Sequence, residues 1–318
     1  MLIRLIMSIK TFGLLYTTRV YYRHLTAILM KLIGRKYVTR KVLNFSMILD
    51  LEDRGISGEL NDKGSREEQL YIVLKEIIKP GDHVIDLGAN IGYYPLIARS
   101  FVGRSGKVYA LEPSPYNFSL LNRNVMLNNA DDVIETFQLG GGSEPGKVKF
   151  YISERSNQNT MIKELYRFKD QQDFLIKSLE VDVVDISSFI MDKPSIDLIR
   201  MDIEGYEVKV LAGLKSAIES GVFKGKIVFE CHWPKYDDEH NSIREQLKMV
   251  FNNGYYPSIM TSNTEERARF IERGYSAKTI IGKNPARLRG IYYNIEPSDA
   301  EYLICDVGGV RDVVLEKR

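Results

Sequence analysis

The sequence predicts an α/β protein: a doubly wound, mostly parallel sheet preceded by a basic, helical N-terminal extension. Three observations carry this. Short apolar runs alternate with helical patterns from residue 83 onward, and one of those runs ends in a carboxylate followed by glycines that open a helix. The composition, 44% apolar and 27% charged with 10 Pro in 318 residues, is that of a folded globular chain rather than a disordered or collagen-like one. Two cysteines, Cys231 and Cys305, are too few for a disulfide framework, so a reducing, cytoplasmic setting is the default.

The net charge of +2 hides a segregation. Residues 1–49 hold nine basic residues and no acid, leaving 35 basic against 42 acidic residues from Asp50 onward. The extension is expected to span residues 1–45 and the main domain residues 46–318. Within the arm, Leu2, Leu5, Ile6, Ile9, Phe12 and Tyr16 follow helical spacing, but Arg19 and Arg23 would rotate onto the apolar side of one continuous helix. The longest uncharged run, Thr11 to Thr18, is far short of the roughly 20 residues a spanning helix needs. Charges also interrupt any secretory h-region. A basic helix in peripheral contact with an anionic membrane surface and a helix packed on the domain or on a second subunit both remain open.

The body reads in order as a β-leaning stretch (Val42 to Leu51), a polar turn region with Gly55, Gly58 and Gly64, and a helix from Glu67 to Ile78 stopped by Pro80-Gly81. Strands follow at His83–Leu87, Lys107–Leu111 and Val133–Leu139, with helices at Tyr93–Phe101 and Pro115–Asn128 between them. Gly140-Gly141-Gly142 reads as a turn before a strand at Lys147–Ile152. Strands at Leu179–Val184, Ile196–Ile203 and Lys226–Cys231 and helices at Val208–Ser220 and Ile243–Asn253 resume the alternation. From Ser262 to Pro297 the pattern dissolves, and Tyr302–Cys305 is the expected last strand.

The most informative stretch is Asp86-Leu87-Gly88-Ala89-Asn90-Ile91-Gly92. Ligands of open α/β sheets sit beyond the carboxyl ends of the strands, which makes this turn the expected cofactor site. A dinucleotide site needs a third glycine, and a strand-end Asp would repel a pyrophosphate. Asp86 suits a cationic ligand, and Glu112, ending the next strand, suits the two hydroxyls of a ribose. A nucleoside with positive charge and no phosphate describes S-adenosylmethionine.

These residues, with Asp53-Arg54-Gly55-Ile56-Ser57, Tyr93-Tyr94, Glu112-Pro113 and above all Arg200-Met201-Asp202-Ile203-Glu204-Gly205-Tyr206-Glu207, resemble the FkbM-type class I methyltransferases from about Met47 to Gly254. The D-x-E-G-x-E element is that family's most specific mark. The resemblance implies a seven-stranded, Rossmann-like methyltransferase sheet and O-methylation of sugar or small-molecule hydroxyls. It departs at Arg200, where the family more usually has Lys, so a titratable amine is lost. The cofactor-binding set is read as Asp86, Gly88, Ala89, Asn90, Gly92, Tyr93, Glu112, Pro113, Leu139 and Asp202.

Methyl transfer to an alcohol requires alignment of the oxygen and removal of its proton. Asp202 and Glu204 are expected to project from the same side of one strand end, and Glu230 and His232 from the next. His232 is best matched to proton abstraction near neutral pH. Oxygen ligands from Asp202, Glu204 and Glu230 would suit Mg²⁺, but no metal is assigned. The expected acceptor is a small molecule or glycan, bound by loops at Arg155–Asp173 and Ser262–Gly290. An acidic body and the lack of an amine-methylating N-P-P-Y-type element argue against nucleic acid. A catalytically silent, membrane-associated scaffold that kept the cofactor fold is the reading from another class.

Overall fold

A computed structural model of the chain describes residues 9–11, 13–163, 175–264, 267–282 and 288–318. Leu2, Leu5, Ile6 and Phe12 of the predicted N-terminal stripe, the end of the predicted acceptor loop beyond residue 163, and parts of the second loop lie outside the described residues.

A helix, α1 (Leu14–Leu32), leads into an antiparallel hairpin of β1 (Tyr37–Val42) and β2 (Phe45–Asp50). The hairpin turns at Leu43, which takes a positive φ. It replaces the single stretch expected from Val42, and it straddles the division expected at residue 45. Where the glycines at 55, 58 and 64 suggested a turn region, α2 (Ile56–Lys63) forms between two of them. Gly64 closes it in the left-handed conformation that favours glycine at helix ends. Helix α3 (Glu68–Ile77) follows as predicted.

The central sheet comes from β3 (His83–Leu87), β4 (Lys107–Leu111), β5 (Ile134–Phe137), β9 (Leu198–Met201), β10 (Lys226–Glu230), β11 (Tyr255–Ser262), β12 (Thr279–Ile281), β13 (Arg289–Tyr293) and β14 (Val310–Lys317). Their spatial order is β12-β13-β11-β14-β10-β9-β3-β4-β5. The five strands from β5 to β10 run parallel, and β14 inserts antiparallel between β10 and β11. Nine strands therefore stand where seven were expected, because β12 and β13 add an antiparallel edge from the stretch in which the pattern dissolves. The predicted last strand, Tyr302–Cys305, is instead part of a π-helix (Tyr302–Val307); the Gly308-Gly309 pair follows it, and β14 takes the strand role.

Strand order reverses between β3 and β9, with α4 (Tyr93–Val102) and α5 (Pro115–Leu127) linking β3, β4 and β5. Two cores result from the two-residue period of the strands. Ile85, Leu87, Ile199, Met201, Ile227 and Phe229 face one, while Val84, Leu198, Val228 and Val314 face the other.

A second sheet packs beside the first. It contains β6 (Gly140–Gly142), β7 (Gly146–Ser153) and β8 (Leu175–Asp185), in the order β6-β8-β7. The three glycines expected to form a turn are thus a strand. Their lack of side chains lets α6 (Glu207–Glu219) approach: a Cβ at Gly213 would lie 2.4 Å from the Gly142 carbonyl oxygen. Alanine is favoured over glycine by about 1 kcal/mol in a helix interior, but the clash with backbone outweighs that gain. Gly213→Ala is expected to lower the unfolding free energy by about 1–3 kcal/mol, the usual cost of overpacking, read as a lower urea midpoint with an unchanged slope.

Candidate active site

The carboxyl ends of β3, β9 and β10 carry a row of charges on the face where Val84, Leu198 and Val228 supply the core two residues earlier. The continuation of that face is Asp86, Arg200 and Glu230, with Asp312 of β14 paired opposite Glu230. All four are buried. Buried charges need partners: Arg200 serves Asp86, Arg311 serves Glu230, and Asp312 accepts from the Thr261 hydroxyl. The Arg200 guanidinium reaches Asp86 Oδ1 at 3.0 Å and Asp202 Oδ2 at 2.8 Å, and lies 3.8 Å from the centre of the Tyr94 ring. Arg311 bridges Glu230 at 2.7 Å and Glu67 at 2.8 Å. Glu67 also meets Arg66 and accepts from the Tyr94 hydroxyl. Despite its burial, Arg66 and Arg311 hold the Glu67 carboxyl well below the usual range. Burial raises Asp86 to about 6 even with Arg200 beside it, and raises Glu230 well above its ordinary value.

Beyond this row lies a cavity enclosing about 730 Å³, its open mouth included. Gly88, Ala89, Asn90, Tyr93, Glu112, Pro113, Leu139, Asp202 and Glu204 of the predicted set line it. Gly88 has a φ of +79°, and a Cβ there would lie 2.3 Å from the Asp202 carbonyl oxygen, so two loops touch backbone to backbone. Glu112 accepts from the amides of Asn90 (2.8 Å) and Ser114 (2.9 Å), and burial raises it to about 7. Each of its oxygens keeps a lone pair beyond those bonds.

Asp86, Gly92, Glu230 and His232 are not among the cavity's lining residues. Asp86 is spent on Arg200, which stands at the wall in its place. Gly92 caps α4 with a φ of +95°, and a Cβ there would meet Leu121. Glu230 is turned toward Arg311. His232 sits behind Asp202 and Glu204, its side chain 10% exposed. Its Nδ1 lies 3.0 Å from Glu207, while Nε2 lies 3.4 Å from Glu230, 3.6 Å from Glu204 and 3.7 Å from Asp202. Burial opposes the imidazolium, but Glu204 and Glu207 outweigh it and raise the His232 pKa well above 6.5. The protonated form is therefore favoured at neutral pH, which removes the simple expectation of His232 as a neutral base.

The expected strand-end pairing of Asp202 and Glu204 also changes. The strand stops at Met201, and Glu204 occupies a turn with a φ of +53°. Asp202, Glu204 and His232 lie close enough to share a cation. Arg200 and the imidazolium already supply positive charge there, so no metal is assigned.

Arg66, Tyr94 and Arg200 were not anticipated in the site, whereas the segment Ser156–Met161 falls within the loop at Arg155–Asp173 expected to bind the acceptor. Ser156, Asn157, Asn159 and Met161 line the cavity because Asp53 anchors the segment: the Ser156 hydroxyl and amide donate to its carboxylate at 2.8 and 3.1 Å. Asp53 belongs to the quoted Asp-Arg-Gly-Ile-Ser run, but its partner is 103 residues away.

The residues fit S-adenosylmethionine: Glu112 offers lone pairs to hydroxyls, Asn90 Oδ1 is buried without a hydrogen-bond partner among the described residues, and Asp202 and Glu204 bring negative charge to the wall. Comparison with known proteins agrees. Residues 86–257 match the family model described as the methyltransferase FkbM domain. Methyltransferase 1 of Beauveria bassiana is 30% identical over 152 residues, covering 41% of this chain and 57% of that protein. The hexuronic acid methyltransferase AglP of Haloferax volcanii is 26% identical over 166 residues, covering 52% of this chain and 62% of that protein. The matched part of the chain thus spans about three fifths of the length of these relatives. A solved FkbM methyltransferase of Methylobacillus flagellatus is 18% identical, with a TM-score of 0.37 over 75% of this chain and 53% of that one. The chain belongs to the FkbM family of methyltransferases, with the Rossmann-like class I fold and S-adenosylmethionine as its cofactor.

Proposed function

We propose that the protein O-methylates a hydroxyl of a sugar, glycan or other small molecule. The observation that carries this reading is the cavity wall itself, where carboxylates and a polar segment of Ser156, Asn157 and Asn159 suited to a hydroxyl-rich acceptor line one space. Asn157 Oδ1 is buried with no hydrogen-bond partner among the described residues, so it is free to accept from such a group. The name of AglP, a hexuronic acid methyltransferase, is compatible with a sugar acceptor.

The bound cofactor supplies an electrophilic methyl group. The protein orients the acceptor and receives its proton. We assign that proton to Glu204. Of the three carboxylates on the cavity wall, Glu112 is bonded to the Asn90 and Ser114 amides and Asp202 is engaged by Arg200, whereas the nearest cation to Glu204 is His232 at 3.6 Å. Glu204 is also a non-glycine residue at positive φ, fixed through its carbonyl by the Thr160 hydroxyl at 2.8 Å. Held backbone strain of this kind is characteristic of functional positions. His232 acts as a positioning residue: its imidazolium is held by Glu207, which also accepts from the Ile203 amide and the Tyr236 hydroxyl. Glu112 and the backbone at Gly88 and Asn90 bind the nucleoside.

Three outcomes are expected. Glu112→Ala should weaken S-adenosylmethionine binding in calorimetry by about 10- to 100-fold, the worth of hydrogen bonds to a charged acceptor; undiminished binding would move the ribose site elsewhere. Glu204→Gln should lower kcat roughly 100- to 10,000-fold with cofactor affinity retained, and an unchanged rate would remove it as the proton acceptor. In reactions of labelled cofactor with glycan extracts, label in a methyl ether should survive mild alkali, whereas its release would indicate a carboxyl ester instead. The third residue, His232, is read through stability. A raised histidine pKa stabilises the fold fully below about 6.5 and ceases to do so as pH rises through the folded value. The stability gap between wild type and His232→Gln should accordingly shrink from acidic to alkaline pH in urea denaturation, and a gap that widens would contradict the imidazolium.

A further inference from the structure

Helix α1 is oriented opposite to what its charges suggest. Arg19 and Arg23 point inward, donating to the carbonyl oxygens of Lys63 at 2.7 Å and Lys41 at 2.9 Å, while Thr17 and Ala27 are buried. Arg40 reaches back from β1 to the Thr26 hydroxyl at 2.7 Å. The residues that would have broken an apolar stripe are thereby consumed in attaching the helix to the body. The other face carries Leu14, Leu15, Tyr21, Tyr22, Leu25, Ile28, Leu29 and Leu32, all exposed, with Leu15 at 87% and Leu32 at 77%. Their three- and four-residue spacing makes one continuous stripe along a helix about 28 Å long.

An apolar strip of this length is far more than the scattered surface leucines of an ordinary protein. Its setting selects what covers it. No acid occurs before Asp50, and Lys10 and Arg35 are exposed beyond the two ends of the helix. A second copy docked helix to helix would set two basic, acid-free arms against each other. A bilayer with anionic headgroups accepts both the apolar face and the flanking cations. No described helix is long and apolar enough to cross a membrane, which agrees with a helix lying in the interface.

We propose that α1 is a membrane-docking helix that lays the Leu15–Tyr22–Leu25–Leu29 face onto an anionic lipid bilayer while Arg19 and Arg23 fasten it to the body. The proposal is independent of the acceptor chosen by the active site.

Co-sedimentation of the full chain with phosphatidylcholine vesicles, with and without phosphatidylserine, tests it. Binding is expected with phosphatidylserine and should weaken with salt. Leu15→Glu/Leu25→Glu/Leu29→Glu should lower the bound fraction about tenfold or more, since it removes apolar contact and adds repulsion. Lys10→Glu/Arg35→Glu, which leaves the apolar face intact, should lower affinity roughly fivefold or more per cation for anionic vesicles only. Calorimetry with S-adenosylmethionine, unchanged in both variants, certifies their fold. The proposal is overturned if the wild type stays in the supernatant with phosphatidylserine, or if neither variant alters sedimentation. It is equally overturned if the wild type is a dimer in solution that the leucine variant converts to a monomer, because the strip would then be covered by a second copy.

Discussion

The guanidinium of Arg200 ties together the ends of adjacent strands and the loop beyond them. It contacts Asp86 on β3 and Asp202 just past β9, and it stacks on Tyr94 from the helix that β3 leads into. Both carboxylates would otherwise be buried or half-buried negative charges at the point where the sheet order reverses, which the protein interior does not tolerate unpaired. Removing one partner from such a cluster costs about 3–5 kcal/mol, because a charge is left behind. The cofactor loop, the acidic turn and the first turn of α4 are therefore not independently placed. Each is held at the same cation.

This changes what the acidic bias of the body means. A cationic cofactor does not have to offset Asp86 and Glu230, because Arg200 and Arg311 already do so from within the protein. What remains for a ligand is the less compensated charge on the cavity wall, at Asp202 and Glu204. Arginine at position 200 suits this arrangement. A planar fork with several donors can serve two carboxylates and a ring face together, whereas a single ammonium is a point charge.

Much of the fold was legible in the sequence because its signals are local. The apolar runs at His83–Leu87 and Lys107–Leu111 are strands with those bounds, and Asp86-Leu87-Gly88 marks the cofactor turn. The failures are equally physical. Three consecutive glycines suggest a turn, and only the packing of Gly213 against Gly142 shows why a strand without side chains is required. Tyr302–Cys305 has strand composition, yet β14 takes the sheet position a few residues later. In the site, Glu112, Asp202 and Glu204 could be named from their places at strand ends. Arg66 could not, since it is placed by Tyr93, 27 residues away, and the Ser156–Met161 segment was legible only as part of the loop at Arg155–Asp173, its anchor Asp53 being 103 residues away. The raised pKa of His232 was hidden for a similar reason: Glu207, its closest partner, lies 25 residues earlier in the chain at the start of another helix.

The insertion of β14 between β10 and β11 has a consequence for synthesis on the ribosome. Arg311, the cation shared by Glu67 and Glu230, emerges more than two hundred residues after the first of those acids. Until it is made, a nascent chain can pair β3, β4, β5, β9 and β10, but β10 has no neighbour on its outer side and its terminal glutamate has His232, 3.4 Å away, in place of the closer Arg311. The growing polypeptide should therefore hold an open sheet edge, of the kind that recruits other strands, from the completion of β10 at Glu230 until β14 emerges at Val310. Closure of that edge and neutralisation of the catalytic end of the sheet then become a single, late event.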